Sequence, residues 1–172
     1  MATTEHASER TYLSDYRPPD YYIPRVDLVF DLDENKTRVR ATLQITRNGV
    51  HSRPLGVNGE RLILASLNLN GQALGPKQWH ADEKTLTLNK VPESFPLIIE
   101  TIINPAANSE LSGLYSSRDT LCTQCEPEGF RRITYFLDRP DVLSVYRVTV
   151  RAAKKSYPVL LANGNEIETR ED

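Results

Sequence analysis

Residues 122–130 read CTQCEPEGF and gather two thiols, an amide and two carboxylates within nine positions. The two cysteines are the only ones in the chain, at C-x-x-C spacing, and that spacing suits either a structural zinc site or a redox pair. A structural zinc needs four ligands, so Cys122 and Cys125 supply half a site. The histidines, His6, His51 and His80, stand far apart with no second ligand pair beside any of them, and they complete no recognisable module. A thioredoxin-type centre would start a helix at its first cysteine, where the helix terminus lowers the thiol pKa. Pro127 and Gly129 follow too closely for that. Two reduced, partly buried thiols are then the expectation for the sulfurs.

The residues between and after the cysteines offer different chemistry. In an extended chain Gln124 and Glu126 point to one side and Cys125 to the other. An ionised glutamate only accepts hydrogen bonds and a protonated amine only donates them, so an amide beside a carboxylate suits an ammonium ligand. The alternative is a solvated surface pair.

Strands are the elements expected to carry this stretch. In VDLVFDLD the apolar Val26, Leu28, Phe30 and Leu32 alternate with Asp27, Val29, Asp31 and Asp33, the period of a half-buried strand. After ENKT, the set Val39, Ala41, Leu43 and Ile45 alternates with polar residues, so the two runs predict a hairpin with one shared apolar face. RLILASLNL before Asn70-Gly71, TLTLNKV around Leu86 and Leu88, and FPLIIETII before Asn104-Pro105 predict further short strands. RRITYFL and VLSVYRVTVRA are rich in β-branched and aromatic residues, and YPVLLANGNEIETR predicts a strand, an Asn163-Gly164 turn and a second strand. Helix is expected only as a turn near Asp141. The fold class is all-β: an antiparallel or mixed β-sandwich, or a saddle-shaped sheet packed on a smaller one. Residues 1–23, with their prolines, are expected to form an extended N-terminal arm, and residues 24–172 the β-rich domain.

Composition narrows the partners. The 172 residues suit one domain, and 39% hydrophobic with 26% charged residues is ordinary for a soluble globular chain. A formal net charge of −2 offers no basic face for nucleic acid or an anionic membrane. No run approaches the roughly 18 apolar residues of a membrane span and the first twenty residues hold no signal-peptide core, so a cytoplasmic location is expected.

TQCEPEGFRRITYFLDRPDV resembles the amine-recognition segment of the aminopeptidase N family of zinc exopeptidases in its bacterial form. NPAANSELSGLYSSRDTLCTQCE and the opening YRPPDYYIPRVDLVFDLDENKTRVRATLQITRN resemble the same family, so the resemblance spans nearly the whole chain. It implies that Glu126 anchors the free α-amine of a peptide substrate and that Gln124 shapes the first side-chain pocket. It implies zinc in the parent enzyme, held by H-E-x-x-H and a later glutamate, where zinc polarises the carbonyl and activates water. No H-E-x-x-H and no G-x-M-E-N occurs here, so the expected organisation is an N-terminal domain, inactive alone, whose catalytic domain follows Asp172. Animal members carry an aromatic where this chain has Cys125.

Arg131 and Arg132 are expected to position the loop through carboxylate pairs, with solvated arginines as the alternative. Asp138, Arg139 and Asp141 around Pro140 suggest local charge pairs in a turn. Tyr115 is expected to pack, with an approach to the active-site side as the alternative that the family resemblance implies; Trp79, placed between strands, is also expected to pack, with a stacking platform as its alternative. LLANGNEIETRED resembles a hairpin whose next strand lies beyond Asp172, so the tail after about Gly164 is expected to be disordered or to pair with another copy. A free-standing β-sandwich interaction or carbohydrate-binding module is the competing function.

Overall fold

A computed structural model describes residues 12–171. Eleven strands account for its regular structure: β1 (Tyr21–Asp31), β2 (Thr37–Arg47), β3 (Leu55–Asn58), β4 (Ile63–Leu69), β5 (Gln72–Ala73), β6 (Trp79–Ala81), β7 (Thr85–Leu88), β8 (Ser94–Ile103), β9 (Gly113–Ser117), β10 (Thr120–Gln124) and β11 (Val145–Arg151). Among the described residues the helical elements are two 3-10 turns, Leu13–Asp15 and Phe130–Arg132. The strands form a six-stranded sheet in the order β11-β1-β2-β8-β4-β5, a three-stranded sheet β3-β7-β6 and the hairpin β9-β10. All pairs are antiparallel except β1 with β11.

The β1–β2 hairpin forms as the alternation requires. Val26, Leu28 and Phe30 face Leu43, Ala41 and Val39, and β8 continues the apolar face with Leu97 opposite Leu43 and Ile99 opposite Ala41. Leu55 and Val57 of β3 and Leu86 and Leu88 of β7 join the same buried cluster. The small sheet therefore covers the inner face of the large one, as in a sandwich. Each fully buried Val, Leu or Ile contributes about 1.5–3 kcal/mol relative to exposure. β1 starts at Tyr21, and Tyr21 and Ile23 are core residues, so the last residues of the expected arm belong to the sheet.

Two segments depart from the sequence expectation. RRITYFL is not a strand: it holds the 3-10 turn and a single antiparallel bridge, Asn58 to Phe136. Residues Ile133, Thr134, Tyr135, Phe136 and Leu137 are buried in succession. A segment wrapped by protein on every side has no wet face, so its apolar run carries no period. The YPVLLANGNEIETR segment bends at Asn163 and Gly164 but forms no strand, and Val159, Leu161 and Ile167 stand exposed. A strand exists only against a partner that takes its backbone hydrogen bonds, and no described segment pairs with residues 158–171.

β11 borders the large sheet with its outer edge unpaired. Val145, Tyr146 and Val148 remain 70%, 45% and 38% exposed, although Tyr146 and Val148 lie in register with core residues Val26 and Leu28. The inner face thus runs out of cover at this border. Trp79 lies in β6 rather than between strands, half-buried against the core, which removes it as an open stacking platform.

Candidate functional site

Gln124 ends β10, paired with Gly113 at the start of β9. The strand alternation stops there: Glu126 lies in the following turn, not in an extended run. Gln124 and Glu126 are both exposed, whereas Cys125 packs against the core. The Gln124 side-chain Nε2–H donates to the Glu126 carbonyl at 3.0 Å. The amide thus braces the backbone that carries the carboxylate, and its own oxygen stays open. Among the described residues the Glu126 carboxylate makes no hydrogen bond or salt bridge. A cation acceptor without an internal cation is the electrostatic requirement for an ammonium site.

Burial pushes the Cys125 thiol up to about 11, with the negative charges of Asp138 and Glu126 adding to the effect. A thiol in that state is neither a nucleophile nor a ready metal ligand at neutral pH. Cys122 sits in β10 opposite Tyr115, and both cysteines are free. Among the described residues no three His, Cys, Asp or Glu side chains come together as a metal-binding group. His51 is held as a structural ring: its Nε2 lies 2.9 Å from the Asp20 carbonyl, its Nδ1 accepts from the Arg53 N–H at 3.2 Å, and it stacks edge-on against Tyr21. His80 lies in β6 and is exposed; His6 falls outside the described residues. The described residues do not fit a zinc site.

The turn after Glu126 is held by tight backbone packing. Gly129 N–H closes it on the Cys125 carbonyl at 2.9 Å. A Cβ at Gly129 would lie 2.7 Å from Cys125 Cα, 2.7 Å from the Gln124 carbonyl oxygen and 2.9 Å from Ser112 Oγ, closer than real Cβ atoms come. Gly113, at φ +79°, admits the Arg132 Cβ into the space its own side chain would fill. The hairpin and the 3-10 turn therefore interlock across two glycines.

Both arginines that follow are paired with carboxylates, as their sequence position suggested. Arg131 donates from its backbone N–H and from Nε to the same Asp138 oxygen, at 3.1 and 3.0 Å, and from Nη2 to the Asp138 carbonyl at 2.9 Å. Its Nη1 lies 3.3 Å from Glu128. Arg132 donates from Nη2 to Glu60 at 2.7 Å, and Glu60 N–H donates to the Arg131 carbonyl. Asp138 joins this framework by donating its N–H to Asn58 Oδ1 at 3.3 Å. Arg139 forks onto Asp141, which also accepts from Tyr16.

Glu60 and Gly113 carry no chemical signature in the sequence, Gly129 shows there only as a breaker after Pro127, and Asp138 pairs with Arg131 seven residues back rather than with its neighbours around Pro140. The nearest thing to a signal is Asp138, the one carboxylate that ends the apolar run after the paired arginines.

The sequence matches the family described as Peptidase M1 N-terminal domain over residues 18–172. It is 50% identical to aminopeptidase N of Escherichia coli (strain K12) over 156 residues, which is 91% of this chain and 18% of that protein. The crystal structure of Legionella pneumophila aminopeptidase A in complex with aspartic acid superposes with a TM-score of 0.86 at 34% identity, over 92% of this chain and 19% of that one. An M1 zinc metallopeptidase from Deinococcus radiodurans, an E323A mutant bound to a Tyr-Ser-Ala substrate, shares the fold at TM-score 0.63 and 16% identity, over 77% of this chain and 33% of that one. The chain thus spans less than a fifth of the length of the curated relative. No described helix is long and apolar enough to cross a membrane.

Proposed function

The chain belongs to the peptidase M1 N-terminal domain family, and on that premise we propose that it is the amine-anchoring domain of a longer zinc aminopeptidase. The observation that carries this is the exposed Glu126 carboxylate, braced by Gln124 and unpaired among the described residues. Glu126 accepts hydrogen bonds from the free α-ammonium of a peptide, and Gln124 borders the pocket for the first side chain. A catalytic domain elsewhere in the longer polypeptide would hold the zinc, whose Lewis acidity would polarise the scissile carbonyl. This domain makes no bond itself; it holds the amine at a fixed distance from the reacting carbonyl, so the first peptide bond is the one cut.

In the longer enzyme the exposed border at β11 is covered by neighbouring polypeptide, and in the isolated chain it pairs with a second copy. The test of the anchoring role is Glu126→Ala in the full-length enzyme. Removing one member of a desolvated charge pair costs about 2–5 kcal/mol, so turnover of substrates with free α-amines is expected to fall at least thirtyfold. Near-normal turnover refutes the assignment. The isolated chain is expected to hydrolyse no aminoacyl amide.

A further inference from the structure

The Glu126 turn is closed by its own short bonds, from Gln124 Nε2–H to the Glu126 carbonyl and from Gly129 N–H to the Cys125 carbonyl, and these fix its shape but not its direction relative to the core. We propose that Arg131 and Asp138 fix that direction: they form a positioning couple that sets the place of the Glu126 carboxylate and so the affinity for the substrate amine. This rests on the amine-anchoring role of Glu126 and extends it to two residues that touch no substrate.

The geometry is specific to a guanidinium. One Asp138 oxygen accepts from both the backbone N–H and Nε of Arg131, the Asp138 carbonyl accepts from Nη2, and Nη1 reaches back to Glu128. The same side chain therefore ties the segment at Asp138 to the loop two residues after Glu126. Lysine retains the charge and three N–H donors, but these radiate from one nitrogen and cannot span the separate positions that Nε, Nη1 and Nη2 reach. The couple is also largely out of water, with side chains 19% and 14% exposed, so its geometry is retained where a surface pair would fluctuate. Asp138 is anchored in turn through Asn58 of β3. Glu126 is thus referenced to the small sheet, and through the shared core to the rest of the domain.

Arg131→Lys and Asp138→Asn in the full-length enzyme test the proposal, with zinc content and thermal midpoint measured alongside. Two competitive inhibitors are compared: an amino acid hydroxamate and its des-amino analogue, identical except for the α-ammonium. Displacing the carboxylate by a fraction of an ångström is expected to weaken the amine-bearing inhibitor roughly tenfold and to raise KM for aminoacyl amides. The des-amino analogue should bind as in the wild type. A merely structural role lowers the active fraction and leaves both inhibition constants unchanged, which overturns the proposal. Equal weakening of both inhibitors also overturns it. A wild-type enzyme that does not distinguish the two inhibitors refutes the amine-anchoring role itself, and the couple's function with it.

Discussion

Replacing Gly129 with alanine probes the loop from its opposite side. The added Cβ would approach Cys125 Cα and the Gln124 carbonyl oxygen to 2.7 Å, whereas ordinary contact starts at 3.4 Å. Relief therefore requires about 0.7 Å of movement, the difference between those two distances. Both neighbours are backbone atoms of the segment that carries Gln124 and Glu126, so no side-chain rotation absorbs the shift. Overpacking of this kind costs about 1–3 kcal/mol, and with an unchanged m value the urea midpoint of the chain should fall by roughly 0.5–1.5 M. In the full-length enzyme, displacement by most of an ångström should lower kcat/KM for aminoacyl amides about tenfold or more. Urea titration by fluorescence and steady-state kinetics measure the two effects. A variant with wild-type midpoint and wild-type kcat/KM refutes the claim that Gly129 is kept small to let the loop close.

Two further outcomes are expected. The Cys125 thiol has a folded-state pKa of about 11 against a reference of 9.0, so the neutral thiol is favoured by folding. Its stabilising contribution is complete below pH 9 and is lost as pH rises from 9 through 11; Tyr135 and Tyr146, whose phenols burial also raises, act in the same sense at higher pH. Cys125→Ser should show a smaller loss of stability between pH 8 and 10.5 than the wild type by urea titration, and an equal loss refutes the assignment. At the sheet border, Val148→Lys should shift the isolated chain toward monomer in sedimentation velocity, because a charge on an exposed edge strand discourages pairing; unchanged association refutes strand-edge pairing.

How legible the molecule was depends on where each residue meets water. The β1–β2 hairpin could be read because Val26 to Phe30 and Val39 to Ile45 each have one wet and one dry face, and a period of two follows from that. The segment 133–137 could not, since every side chain there is buried and the sequence shows only an apolar run. The tail shows the opposite failure. Its Asn163-Gly164 bend was readable, but strands need partners, and local pattern says nothing about whether a partner is near. β6 was missed because three residues are too few to display a period, and the parallel pairing of β11 with β1 has no local signature.

At the site, the residue types of the Gln-x-Glu segment were fully local information. An amide and a carboxylate two positions apart specify what ligand chemistry is possible whatever the fold. The place and stiffness of that pair are not local. Glu60 meets Arg132 across 72 positions, Asn58 meets Asp138 across 80, and Gly113 makes room for Arg132 from another element. Such contacts depend on summed turn and strand geometry over the whole domain, where small angular differences displace a side chain by many ångströms. The chain's periodicity and composition therefore determined its strands and the chemistry available at Glu126. Tertiary packing decided the long-range ties on that segment, Glu60 to Arg132 and Asn58 to Asp138, because only closure of the core brings together residues 72 and 80 positions apart.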